Sequence, residues 1–158
     1  MNILKATAVA TLTMGVALAA AAPASAYGPN PKVSVSGLGT HSSGAGTATY
    51  SGYSYAELPF QGEYSGVVTV TDGSFPPLGE CEPATATVRV DEDGGNGHVE
   101  LAASGEVCGI LVGAWTMQRF EGRWTVASTS VKKIARSEGV VDLRLLSDGQ
   151  ADLYVWGR

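Results

Sequence analysis

Residues 81–108 read CEPATATVRVDEDGGNGHVELAASGEVC and contain the only two cysteines of the chain. Cys81 and Cys108 lie at equal distances from Gly94-Gly95, where an antiparallel hairpin would reverse direction. Pairing residues about this centre gives the ribbon one apolar and one polar face, and a shift by one residue would mix the faces. The apolar pairs are Val90 with Val99, Val88 with Leu101 and Ala86 with Ala103, and the polar pairs are Asp91 with His98, Arg89 with Glu100, Thr87 with Ala102 and Thr85 with Ser104.

The same register predicts a disulfide between Cys81 and Cys108. Closing a loop of about 28 residues would stabilise the fold by roughly 3.6 kcal/mol on the chain-entropy model. A metal or redox role would require a CxxC spacing or additional ligands, and the chain has only two histidines. We therefore interpret the cysteines as a structural clamp, and we expect Pro83 and Gly105 to disturb the ladder next to it.

Residues 1–26 have the pattern of a secretory signal peptide, with Lys5, an apolar run and a cleavage site at Ala24-Ser25-Ala26. Export would place the cysteines in an oxidising compartment, so we expect a secreted, extracellular protein. No second apolar run is long enough to cross a membrane, so we expect no membrane span after signal cleavage. The net charge of −5 argues against nucleic acid as a partner.

The rest of the chain divides by composition into two parts. Residues 27–58 are rich in Gly, Ser and Tyr, and we expect a loose N-terminal arm that adds an edge strand at most. We expect the tyrosines Tyr50, Tyr53 and Tyr55 of this arm to pack onto the domain. Residues 59–158 are expected to form a disulfide-clamped β-domain.

Two further hairpins are predicted in the C-terminal part. The first would turn at Glu121-Gly122, with Trp115 and Trp124 in the core. The second would have a three-residue loop, 147–149, with Gly149 in the left-handed conformation. The second loop pairs Val141 with Val155, Leu143 with Leu153, Leu145 with Ala151 and Arg144 with Asp152.

Together these segments indicate an all-β protein. Seven to eight consecutive strands with short connections favour an antiparallel meander, and no segment has a convincing helical pattern. Because no helix is available to cover the apolar faces, the sheet must close on itself. We predict a small up-and-down barrel, with a β-sandwich as the alternative.

The sequence contains no strong catalytic or metal-binding motif. The acidic turn 91–102 resembles a calcium loop only in its first ligand spacings, since Gly95 and Ala102 stand where ligands are required. His41 would lie in the loose arm and His98 at a hairpin tip, and neither position supplies a buried, oriented base. We expect no enzyme activity, no cofactor and no metal.

Two groups of side chains are candidates for binding. A basic group against an acidic chain would suit an anionic cell-envelope polymer or an acidic patch of an extracellular protein. Tyr154 and Trp156 lie opposite the face of Leu153 and Val155, where their rings could stack on a sugar or a partner protein. The basic group is Arg119, Arg123, Lys132, Lys133 and Arg136.

The sequence therefore favours a non-catalytic, secreted β-domain that binds a partner protein or a cell-surface polymer. One alternative is a carrier of a small apolar ligand in the barrel interior. A second is an inhibitor of secreted hydrolases that presents the loop 74–82. A third is a hydrolase whose site leaves no local sequence signature.

Overall fold

The computed structural model describes residues 31–55 and 59–158. The expected signal peptide, residues 1–26, lies outside these ranges. The strands are β1 Val33–Gly44, β2 Thr47–Ser54, β3 Gly62–Val70, β4 Cys81–Glu92, β5 His98–Val112, β6 Trp115–Thr129, β7 Glu138–Leu146 and β8 Gln150–Gly157. A short 3₁₀ helix, Lys132–Ile134, lies between β6 and β7. Across the described residues, no helix is long and apolar enough to cross a membrane.

The eight strands form a closed antiparallel barrel in which each strand pairs with the next. The barrel closes through β1 and β8, which are paired from Val33 with Gly157 to Thr40 with Gln150. This arrangement confirms the predicted meander and barrel, and the alternative β-sandwich is not adopted. Closure leaves no open strand edge along the body of the sheet.

The predicted register of the first hairpin is confirmed at every pair, including Cys81 opposite Cys108. The two sulfurs form the predicted disulfide, with an S–S distance of 2.02 Å. The expected disturbance near the bridge is wrong, because Pro83 pairs with Glu106 and the ladder continues. The carbonyl of Pro83 accepts a hydrogen bond from the Thr71 N–H, so it points away from β5. In an antiparallel strand the N–H and C=O of one residue point to the same side, so the nitrogen of Pro83 also points away from β5. The missing N–H of the proline therefore removes no bond between β4 and β5.

The last hairpin also has the predicted register, and Gly149 has φ +88°. Arg144 lies opposite Asp152 as expected. Its ion pair, however, is with Asp142 on the same strand, at 3.2 Å. Asp142, two residues before Arg144, points to the same face and is held in place by Arg119 at 2.8 Å.

The predicted turn at Glu121-Gly122 is wrong. Both residues lie within the 15-residue strand β6, and the chain reverses instead between Val112 and Trp115, which are paired. Gly113 has φ +61°, as the first central position of a two-residue type II′ turn requires. The shift moves Trp115 to the hairpin tip, where it is 55% exposed, while Trp124 is buried as expected.

The expectation of a loose N-terminal arm is also wrong, because β1 and β2 are full members of the barrel. Their glycines make room for the ring of Tyr64 inside the barrel. A Cβ atom on Gly39 or on Gly52 would lie 2.7 Å from the Tyr64 hydroxyl, and one on Gly37 would meet the ring itself. The high glycine content therefore accommodates a large side chain rather than indicating a flexible segment.

Large side chains fill the barrel interior. The fully buried residues include Trp124, Tyr64, Phe120, Leu101, Leu143 and Leu153. Ile134, from the 3₁₀ helix, is fully buried and belongs to the same core. The Tyr50 hydroxyl donates to the Thr87 carbonyl, whereas the hydroxyl of buried Tyr64 has no hydrogen-bond partner among the described residues.

The two ends of the barrel differ in their connections. One end, which we call the terminal end, holds Lys32, Arg158 and the connections β2–β3, β4–β5 and β6–β7. The opposite end, which we call the disulfide end, holds the connections β1–β2, β3–β4, β5–β6 and β7–β8. Cys81 and Cys108 lie nearest the disulfide end. Cys81 is exposed and Cys108 is half-buried, so the bridge lies on the outer surface.

Candidate functional site

The outer face of β8, β1 and β2 carries a group of aromatic side chains that we call the aromatic strip. On β8, Val155 and Leu153 are buried, which directs the alternate residues Tyr154 and Trp156 outward. Tyr154 is 48% exposed and Trp156 is half-buried. The strip consists of Trp156, Tyr154, Tyr53 and Tyr55.

Strand pairing places the tyrosines of the strip on either side of β1. Tyr154 lies opposite Ser36, and the N–H of Tyr55 donates to the Ser36 carbonyl at 2.8 Å from the other side. Trp156, the next outward-facing residue of β8 after Tyr154, lies opposite Ser34 of β1. Two strand spacings separate β8 from β2, roughly 10 Å. The strip is therefore two aromatic edges with Ser34 and Ser36 between them, while in the row of Tyr53 the exposed Leu38 and its partner Asp152 lie on the same face.

Charged side chains on β6 and β7 support Tyr154. The guanidinium of Arg144 lies 5.5 Å from the centre of the Tyr154 ring, a cation–π distance. Asp142 holds Arg144 at 3.2 Å, and Arg119 donates two hydrogen bonds to Asp142, at 3.1 and 2.8 Å. The bonds to Asp142 raise the pKa of Arg119, against the opposing effect of burial. This network fixes the position of the cation beside the ring.

The opposite edge of the strip is held by the β4–β5 turn. The centres of the Tyr53 and Tyr55 rings are 5.8 Å apart, and the rings meet edge to face at an angle of 66°. The Tyr53 hydroxyl donates to the Asp93 carboxylate at 3.0 Å, and this bond raises the pKa of Tyr53. Tyr55 is 64% exposed. The expectation that the tyrosines of this segment pack onto the domain is therefore correct for buried Tyr50 but wrong for Tyr55.

A group of cations lies next to the strip at the terminal end. Buried Ile134 anchors the β6–β7 connection, while the lysines and the arginine around it are exposed. Pairing of the chain ends adds two more cations: Lys32 N–H donates to the Gly157 carbonyl at 2.9 Å, and Arg158 pairs with Glu138 through two backbone bonds. We call this group the basic rim. It consists of Lys32, Lys132, Lys133, Arg136 and Arg158.

The structure therefore divides the basic group expected from the sequence. Lys132, Lys133 and Arg136 lie in the basic rim, but Arg119 lies on the outer face of β6 within ion pairs to Asp142 and Glu121. Arg123 lies further along β6, opposite Val140, and forms no ion pair with another described residue.

Sequence reasoning missed two members of the basic rim, Lys32 and Arg158, and two members of the aromatic strip, Tyr53 and Tyr55. Both omissions follow from the expectation that residues 27–58 form a loose arm, whereas β1 and β2 belong to the barrel and β1 pairs with β8. The alternation of Lys32–Ser36 was the only local signal of β1.

The histidines serve as structural links. The ring of His41 is 2.8 Å from the Leu146 carbonyl through Nε2 and 3.0 Å from the Ser43 hydroxyl through Nδ1. A carbonyl can only accept, so Nε2 carries a proton and Nδ1 accepts from the serine when the ring is neutral. The bond to Leu146 ties β1 to the end of β7, whereas the bond to Ser43 lies within β1. His98 joins β5 to the end of β6 through its backbone, which bonds Ser130.

One group of metal-ligating residue types stands out in the described part of the chain. Atoms of Cys81, Cys108 and Glu106 lie within 4.8 Å of one another. Both sulfurs belong to the disulfide, so neither is available as a thiolate ligand. The group therefore does not form a metal site in the oxidised protein.

A concavity of about 590 Å³ lies on the outer face of β1 to β5. Its lining is mostly hydroxyl side chains, with Arg89 and Glu100 at one side. Most of these residues lie on the outer face, and the buried ring of Tyr50 and the neighbouring Gly66 form the base of the concavity. Comparison of the chain with protein-family models, curated proteins and solved structures found no match.

Proposed function

We propose that this protein is a secreted, non-catalytic β-domain that binds an anionic cell-envelope polysaccharide along the aromatic strip. One observation carries the proposal: two aromatic edges flank Ser34, Ser36 and the exposed Leu38, and they end beside the five cations of the basic rim. A polymer chain lying in the strip would contact rings on both sides and reach the cations at its end.

Each part of the site suits a different part of such a polymer. Tyr and Trp rings offer large apolar faces with polar tips, which match the C–H surface and the hydroxyls of a sugar ring. The hydroxyls of Ser34 and Ser36 can donate and accept hydrogen bonds. Lysine and arginine form charge-assisted hydrogen bonds with carboxylate or phosphate groups.

The charge distribution supports an anionic ligand. The chain is acidic overall, with a net charge of −5, so a long-range attraction to anions must come from a local cluster. The basic rim is such a cluster, and its lysines are exposed. Exposed charges are screened by salt over about 10 Å at 0.1 M. Binding through the basic rim should therefore weaken as the salt concentration rises.

The test uses affinity electrophoresis of the oxidised protein in gels that contain dextran sulfate, neutral dextran or a purified anionic cell-wall polymer. The triple variant K132Q/K133Q/R136Q should lose most of the salt-dependent retardation. Tyr154→Ala should weaken binding at every salt concentration, because it removes a ring and not a charge. Arg89→Gln is a matched control, since this exposed arginine lies on β4, away from the aromatic strip.

Equal retardation of the wild type and the triple variant by the anionic polymers would contradict the role of the basic rim. Unchanged binding of Tyr154→Ala would contradict the role of the aromatic strip.

The other functions considered from the sequence have less support. A carrier requires internal space, and side chains such as Trp124, Tyr64 and Phe120 fill the centre of the barrel. An inhibitor would present an extended segment, but the loop 74–82 contains a β-turn in which the Glu80 N–H donates to the Pro77 carbonyl at 3.1 Å.

A further inference from the structure

The β5–β6 hairpin extends beyond the rest of the barrel at the disulfide end. Pairing between β4 and β5 starts at Cys81 with Cys108, so residues 109–112 of β5 lie past the end of β4. Pairing between β6 and β7 ends at Met117 with Leu146. The hairpin itself continues to Val112 with Trp115.

Four large apolar side chains are exposed around this extension. They are Leu78 at 53%, Leu111 at 61%, Val112 at 49% and Trp115 at 55%. We call them the apolar tip. The sequence of residues 109–115, GILVGAW, contains no charged or hydrogen-bonding side chain apart from the indole N–H. An exposed apolar group of this kind indicates an interaction site.

The apolar side chains lie on both faces of the ribbon. Val112 and Trp115 are a cross-strand pair and so share one face. Leu111 points to the opposite face, because successive residues of a strand alternate. Leu78 joins the group from the β3–β4 connection, where it is bridged to Gly109. The hairpin end therefore exposes apolar side chains on both faces, with the hydroxyl of Thr116 opposite Leu111 on one of them.

The extension is held firmly by the loop that precedes β4. Gly79 N–H donates to the Gly109 carbonyl at 2.8 Å, and Gly109 N–H donates to the Glu80 carbonyl at 3.0 Å. The Gln118 side chain donates to the Pro76 carbonyl at 3.0 Å. The exposed side chains are thus presented in a fixed arrangement, which lowers the entropy lost on binding.

The charged side chains in the connections around the apolar tip are all acidic. The four described connections at the disulfide end contain Asp72, Glu80 and Asp148, and they contain no lysine or arginine. Asp148 is close to the hairpin, because the neighbouring Ser147 N–H donates to the Thr116 carbonyl. Anionic lipids would be repelled by these carboxylates, whereas an uncharged surface would not.

We propose that the apolar tip inserts into the interfacial layer of an electrically neutral lipid bilayer. A bilayer surrounds the inserted group, which matches a ribbon that is apolar on both faces. Tryptophan favours the membrane–water interface, and the pairing of Val112 with Trp115 satisfies backbone groups that would otherwise enter an apolar layer. A second copy of the chain is a poorer match, since a standard protein interface uses roughly 20–30 residues on each side.

The test is binding of the oxidised protein to phosphatidylcholine vesicles, measured by co-sedimentation and by tryptophan fluorescence. Trp115 is 55% exposed and should shift its emission to shorter wavelength on insertion, while Trp124 is already buried and half-buried Trp156 lies in the aromatic strip; the shift should therefore be lost in Trp115→Ala. Leu111→Asp and Trp115→Ala should each lower the partition coefficient by about tenfold or more, given the transfer free energy of one large apolar side chain. Val67→Ala is a matched control, an exposed apolar residue on the outer face of β3.

The charges provide a second, independent readout. Adding phosphatidylglycerol to the vesicles should weaken binding of the wild type, and the double variant E80K/D148K should bind such vesicles more tightly than the wild type. The single-residue variants should keep the thermal unfolding midpoint of the wild type, because the substituted side chains are exposed. E80K/D148K also loses the hydrogen bond from the Gln150 N–H to the Asp148 carboxylate, so its midpoint should fall slightly.

Three results would overturn the proposal. They are the absence of any vesicle-dependent emission shift, equal partitioning of Leu111→Asp and the wild type, and a tip-dependent dimer in sedimentation velocity without vesicles. The proposal is independent of the polysaccharide site, since Tyr154→Ala should leave vesicle binding unchanged.

Discussion

Two buried tyrosines in the same interior should respond in opposite ways to loss of their hydroxyl groups. The rings of Tyr50 and Tyr64 lie 6.2 Å apart, and both residues are almost fully buried. The Tyr50 hydroxyl donates to the Thr87 carbonyl, whereas the Tyr64 hydroxyl has no partner among the described residues. Tyr50→Phe therefore removes a hydroxyl that forms a hydrogen bond, whereas Tyr64→Phe removes a hydroxyl that forms none with the described residues.

The expected magnitudes follow from the hydrogen bonds. Tyr50→Phe loses one buried bond, which should lower the free energy of unfolding by about 1 kcal/mol. Tyr64→Phe removes a polar group buried without a partner, a burial that costs about 1–3 kcal/mol in proteins, so it should raise the free energy of unfolding by about 1 kcal/mol or more. The two variants should therefore differ by about 2 kcal/mol, equivalent to about 8 °C in unfolding midpoint for a domain of this size.

Urea denaturation of the oxidised protein, followed by tryptophan fluorescence, would measure the difference. The slope of the transition should be the same for both variants, because neither changes the surface exposed on unfolding. Each variant serves as the control for the other, since the volume change is identical. If Tyr64→Phe is destabilised as much as Tyr50→Phe, the Tyr64 hydroxyl has a partner and the reasoning is wrong.

Three further predictions concern the same core and its clamp. Gly39→Ala should destabilise the protein by about 1–3 kcal/mol in thermal unfolding, because the added methyl would meet the Tyr64 hydroxyl and neighbouring backbone. Gly44→Ala is the control and should change the stability little, because the space around its Cβ position is open. Equal effects of the two substitutions would contradict this account. The double variant C81S/C108S should lose about 2–4 kcal/mol in urea denaturation, and no loss would show that the bridge adds nothing to the hairpin. Burial, with a smaller contribution from Asp152, raises the pKa of Tyr64 to about 12, above its unfolded value of about 10. The part of the free energy of unfolding that depends on a protonated Tyr64 is therefore fully present below pH 10 and is lost between about pH 10 and pH 12. Urea midpoints should fall less over this range in Tyr64→Phe than in the wild type.

The parts of the fold that could be predicted from the sequence are those with strict local alternation. In the hairpin 81–108, the two faces separate in one register only, and the glycines of the turn mark its centre. The last hairpin is similar, because Arg144 and Asp152 restrict which loop length is compatible with an apolar face. The structure confirms both registers.

The wrong predictions arise at glycines, because a glycine can either form a turn or leave room for a neighbouring ring within a strand. Gly113 makes a tight turn within an apolar run, and Gly122 lies within a strand beside the Phe120 ring, so the more polar Glu121-Gly122 was mistaken for the turn. In β1, Gly37 and Gly39 accept a ring contributed by β3. A local reading of composition cannot reveal a partner that is distant in sequence.

The candidate site was harder to predict because it is assembled by closure of the barrel. Tyr154 and Trp156 could be placed on an outer face from the alternation of β8 alone. Their counterparts Tyr53 and Tyr55, and the cations Lys32 and Arg158, come to the same surface only when β1 pairs with β8. The basic group expected from nearness in sequence was therefore only partly correct.

The pairing of β1 with β8 also has a kinetic consequence. Thr40 and Gln150 are partners but lie more than 100 residues apart, so their contact closes one of the longest loops available to the chain. Such non-local pairing slows folding. Because the chain is synthesised from its N-terminus, β1 is complete before β8 is made. Until β8 is present, the edge of β1 that pairs with β8 has no partner strand. The period before closure is therefore the stage at which two chains can pair wrongly with each other.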